Sequence, residues 1–126
     1  MTKEIAKFTI SLKPYTKKNS PQIVTNKKTG RAFLLPSKQY MQYERDARAF
    51  IPKLDIDYPV NIEAHYYVDS NRKYDRVNLE EALLDVLVKY RCLADDNYKI
   101  AATSDGSFVA VDRKNPRTEV IITRKE

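Results

Sequence analysis

The chain has only one cysteine, one histidine and two glycines in 126 residues. A lone Cys92 allows no disulfide framework and no thiolate metal cage. A lone His65 has no second imidazole to share a metal or relay a proton. With Gly30 and Gly106 alone, the sequence has no glycine-rich phosphate loop. The longest uninterrupted apolar run is four residues, far below the ~20 that a membrane-spanning helix needs. The opening Met1-Thr2-Lys3-Glu4 lacks the apolar stretch of a secretory leader, so the expected location is cytoplasmic. The length fits one domain, 1–126.

Acidic residues are nearly missing from one region. Residues 1–40 hold nine Lys/Arg and a single acid, Glu4, whereas residues 41–126 hold 14 basic and 16 acidic residues. The net charge of +6 is therefore concentrated at the N-terminal side. A basic third suits a polyanion, most often nucleic acid, with a solvated surface as the alternative.

Hydropathy patterning predicts strands and helices in alternation. Ile5–Leu12 reads as a strand, then 14–21 as a proline-punctuated loop. Residues 22–25 and 31–35 read as a hairpin closed by Asn26–Gly30. Ser37 is a candidate N-cap for a helix to about Ile51, stopped by Pro52. Pro59 opens a strand in which Val60, Ile62, Ala64, Tyr66 and Val68 alternate with polar residues. A helix is expected over about 78–90, with Leu79, Leu83, Val86, Leu87 and Tyr90 on its apolar stripe. Strands at 98–103, 108–111 and 118–123 close the chain. The expected class is α+β: a single-domain mixed sheet with two helices packed on one face.

Chemistry rests on carboxylates. Asp75 precedes the second helix, and Asp95-Asp96 follows it. Mg²⁺ and Mn²⁺ favour such oxygen ligands. A helix of about 14 residues is about 20 Å long, so the two ends meet only by folding back or across two subunits. Helix capping accounts for Asp75 and a turn for Asp95-Asp96 equally simply. Asp112-Arg113-Lys114 has the D-x-K shape of metal nucleases but also that of a turn. Cys92, beside an apolar helix end, reads as an inert buried thiol, and His65 as structural or surface.

The run Lys73-Tyr74-Asp75-Arg76-Val77-Asn78-Leu79, with Asp85 and then Leu93-Ala94-Asp95-Asp96, resembles the RusA family of Holliday-junction resolvases. The run Lys17-Lys18-Asn19-Ser20-Pro21, Gly30-Arg31 and Pro36-Ser37 are similar to its phage-type members. The resemblance implies a homodimeric, Mg²⁺- or Mn²⁺-dependent endonuclease that cuts four-way junctions by paired nicks, in the host cytoplasm if phage-encoded. It implies Asp75 and Asp96 as metal-binding catalytic residues with Asp95 beside them. Two positions depart from the family pattern: its second aspartate falls on Val77, and a helix lysine on Glu81. Three alternatives follow. Asn78, Glu81 or Asp85 supplies the missing oxygen; the metal keeps more waters; or this chain binds junctions and cuts poorly. The phosphate-contact candidates are Lys17, Lys18, Asn19, Lys27, Lys28, Arg72 and Lys73. A basic RNA-binding accessory protein is the more distant reading.

Overall fold

A computed structural model describes residues 3–17 and 21–125. The candidate contacts Lys18 and Asn19 lie outside the described residues. The elements are β1 (Lys3–Ile10), β2 (Gln22–Thr25), β3 (Ala32–Leu35), α1 (Lys38–Ala47), β4 (Val60–Val68), α2 (Arg76–Lys89), β5 (Ala101–Thr103), β6 (Phe108–Val111) and β7 (Arg117–Arg124). A short 3₁₀ turn, Arg48–Phe50, extends α1.

The main sheet runs β1–β7–β4, with β5 and β6 both on the far edge of β4. β7 is antiparallel to β1 and β4, and β5 and β6 are parallel to β4. The alternation in β4 sorts its two faces. Val60, Ile62, Ala64, Tyr66 and Val68 are buried, and Asn61, Glu63, His65 and Tyr67 are half-buried on the other side. Both helices turn their apolar stripes to the first face: Tyr40, Tyr43 and Ala47 from α1, and Leu79, Ala82, Leu83, Val86 and Leu87 from α2. This is the expected α+β arrangement. β2 and β3 form a separate two-stranded ribbon, as the turn chemistry predicted.

Three elements have boundaries that differ from expectation. β1 begins at Lys3 and ends at Ile10, where the Leu12 N–H turns back to the Ile10 carbonyl. Its register against β7 shifts between Glu4 and Ala6, which local pattern cannot reveal. α2 begins at Arg76, two residues early, because Asp75 is the cap. The strand expected from Tyr98 starts only at Ala101. The Asn97 side chain accepts from the Lys99 N–H, and the Asn97 carbonyl from the Ile100 N–H, so 97–100 is a turn.

α2 ends with Arg91 in the left-handed region, φ 64°, and the Cys92 N–H reaches back to the Leu87 carbonyl at 2.8 Å. That closure buries Cys92, whose thiol burial pushes up to about 12, so it is no thiolate nucleophile near neutrality. The β5–β6 turn favours Gly106 because its φ of 88° is one that other residues rarely adopt, and the Glu63 side chain packs over it.

Candidate nucleic-acid interface

The loop leading into α2 is fixed from below. Asp69, at the end of β4, pairs with Lys13 at 3.0 Å. The Tyr74 hydroxyl meets Ser70 Oγ at 3.2 Å, and the Arg72 guanidinium lies 4.5 Å from the Tyr74 ring centre. The Lys13 hydrogen bond holds Asp69 below the usual carboxylate range and raises Lys13. Asp75 then opens the helix: the Val77 N–H donates to its Oδ1 at 3.0 Å, while Oδ2 has no partner among the described residues. Capping and ligand binding are thus compatible at Asp75, one oxygen for each.

Thr16, Arg72, Lys73, Tyr74, Asp75 and Asn78 line a cleft of about 250 Å³. Arg72 and Lys73 are exposed and have no acidic partner among the described residues. Two free cations, a hydroxyl, an amide and a helix N-terminus make a surface for phosphate oxygens. Lys17 sits one residue from Thr16 but spends its charge on Asp85, at 2.6 Å. That pair ties the N-terminal loop to the middle of α2. Glu81 lies on the exposed side of the same helix.

Asp95 and Asp96 are elsewhere. Asp95 Oδ1 accepts from the Asp96 N–H at 2.8 Å, and its Oδ2 from Asn97 Nδ2 at 2.9 Å. Those bonds, the Asp96 one first, hold Asp95 below the usual range. The pair forms an exposed turn past the end of α2, and the 14-residue helix alone separates it from Asp75 by about 20 Å. Among the described residues no three His, Cys, Asp or Glu side chains group so as to hold a metal. Val77, where the sequence resemblance expects a second aspartate, is 58% exposed.

Lys27 and Lys28 stand at the tip of the β2–β3 ribbon. The D-x-K segment is a turn: Asp112 accepts from the Lys114 and Asn115 N–H groups and pairs with Arg117 at 2.9 Å. His65 is a structural residue on the uncovered sheet face. Its Nε2 meets Glu63, its Nδ1 lies 3.5 Å from Glu119, and Phe108 stacks on the ring at 4.3 Å. The glutamates take opposite ring nitrogens, so these three do not converge on one ion.

Sequence reasoning missed Thr16 as part of the cleft, and Lys13, Asp69 and Tyr74 as its supports. The contacts involving Lys13 and Thr16 are long-range and leave no local signal. No protein-family model and no curated protein matches the chain. No helix among the described residues is long and apolar enough to cross a membrane.

Proposed function

We propose that this protein is a structure-selective DNA endonuclease that acts on four-way junctions as a homodimer, with Mg²⁺ or Mn²⁺ at Asp75. The observation that carries the reading is the cleft. It sets one carboxylate oxygen, without a partner among the described residues, beside Arg72 and Lys73 at the N-terminus of a helix. Arg72 and Lys73 engage the phosphates flanking the scissile bond, and Thr16 and Asn78 orient them by hydrogen bonds. Lys27 and Lys28 hold a neighbouring duplex arm.

The donor set fits Mg²⁺ in the open manner, with one carboxylate, phosphate oxygens and water rather than an all-protein cage. When bound, the ion supplies Lewis-acid stabilisation of charge on the phosphate. Asp95 and Asp96 join such a site only from a second subunit, which motivates the dimer.

A second reading keeps the junction and drops the cutting. Val77 favours it, since an apolar side chain lies on the exposed surface where a ligand is expected. One experiment separates the two. Labelled four-way junction and linear duplex are incubated with the protein, Asp75→Asn and Val77→Asp, with either metal or chelator. The endonuclease reading expects paired junction nicks, lost with chelator and reduced at least ~100-fold in Asp75→Asn while binding persists. Undiminished cutting by Asp75→Asn refutes the assignment. Binding without cutting, with nicks appearing in Val77→Asp, establishes the second reading.

A further inference from the structure

The ribbon β2–β3 is built unlike the rest of the surface. Among the described residues its strands pair only with each other, and no acid occurs between Pro21 and Pro36. Its tip is rigid. The Asn26 N–H donates to the Arg31 carbonyl at 2.8 Å, and the Gly30 N–H to the Asn26 carbonyl at 2.8 Å. The Asn26 side chain accepts from the Lys28 N–H at 2.9 Å, and Gly30 supplies the positive φ of 72°. Lys27, Lys28 and Arg31 project from this fixed turn, exposed and with no acidic partner among the described residues. Below them, Ile23 and Leu34 face each other across the strands, 78% and 68% exposed. Burying this aliphatic pair, which lies beneath three cations that have no acidic partner among the described residues, would be favourable.

We infer that the β2–β3 ribbon is a wedge that enters branched DNA, with Lys27, Lys28 and Arg31 on phosphates and Ile23 and Leu34 against unstacked bases at the branch point. The choice of branched DNA as ligand rests on the proposed function. Charge complementarity selects a polyanion over a second copy of the chain, because apposed ribbons bring like charges together. A two-stranded ribbon has the width of a DNA groove. Aliphatic side chains pry base steps apart at a cost of a few kcal/mol in intact duplex. At a branch point stacking is already interrupted, so most of that cost is absent. The wedge therefore reads shape rather than sequence.

The test uses full-length protein in chelator, so that nothing is cut. Wild type, the triple variant Lys27→Ser/Lys28→Ser/Arg31→Ser and the double variant Ile23→Ser/Leu34→Ser are compared. All the substituted side chains are exposed, and circular dichroism checks the fold. Each protein is titrated, across a range of salt, with a junction carrying 2-aminopurine at the branch, a linear duplex and a double-stranded RNA. Wild type should raise the branch fluorescence. The triple variant should bind at least ~10-fold more weakly, with a log–log salt slope shallower by about 2 to 3. The double variant should lose the fluorescence rise and keep the slope. Wild-type affinity and slope in the triple variant overturn the inference, and junction preference would then leave the proposed function standing. A fluorescence rise retained in the double variant overturns the wedge. Loss of a dimer on sedimentation of the double variant also overturns it, by assigning the pair to self-association. Equal binding of all three nucleic acids, weakened in the triple variant, keeps the ribbon as a nucleic-acid contact but overturns its branch selectivity and the junction reading together. Binding to none overturns both.

Discussion

The Tyr40 hydroxyl is buried between the helices with no hydrogen-bond partner among the described residues. Burial first, and then the charges of Glu44, Asp85 and Glu81, push its ionisation far up, so it stays neutral. A buried hydroxyl without a partner costs about 1–3 kcal/mol, and removing it recovers part of that. Tyr40→Phe keeps the ring contacts with Tyr43 at 6.1 Å and should raise stability by about 1 kcal/mol. Urea unfolding measures this, and a loss of stability would mean that the hydroxyl has a bonded partner in solution. Tyr40 shares the buried stripe of α1 with Tyr43 and Ala47, but nothing local marks its hydroxyl as unsatisfied, since satisfaction depends on groups brought in by tertiary packing. Asp75 was legible in the same partial way. Its helix-start position declares a cap, and only the structure separates the occupied oxygen from the open one.

Elements were most legible where periodicity was strong. The alternation in β4 and the stripes of both helices follow from burying one face. Boundaries failed where one side chain or a non-local register decided them, as at Asn97 and at the Glu4–Ala6 shift. The Ser37 cap of α1 was readable because it is local chemistry: its Oγ accepts the Tyr40 N–H at 3.1 Å. Ser37 is itself buried, so Ser37→Ala leaves that N–H without water to replace the bond. The expected cost is about 1–2 kcal/mol, at the upper end for a cap. Chemical denaturation should show it as a lower midpoint with an unchanged slope. A neutral result would mean that α1 is held by packing alone. Loss of the cap should act mainly through α1, since the ribbon before it has its own turn and ladder.

At the scale of the molecule, topology is what the sequence could not supply. The motif that resembles a nuclease is contiguous on paper, yet α2 holds its two ends about 20 Å apart in one chain. Charge is likewise arranged by the fold. Asp69, Asp112 and Glu119 are each held below the ordinary range, chiefly by a hydrogen bond: Asp69 from Lys13, distant in sequence, and Asp112 and Glu119 from the nearby Arg117. A depressed carboxylate stabilises the native state above its unfolded pKa, about 4 for Asp and Glu, and loses that contribution as pH falls through its folded value. The melting temperature should therefore be level from about pH 7 to 5 and fall below about 4. Thermal melts followed by circular dichroism at steps of pH check this. Arg117 bridges two of these acids, Asp112 at 2.9 Å and Glu119 at 3.1 Å. Arg117→Met should release both and make the acid fall shallower, while lowering stability near neutrality only modestly, because the pairs are partly exposed. An acid limb in Arg117→Met that matches the wild-type curve would overturn the assignment of the acid fall to these two pairs.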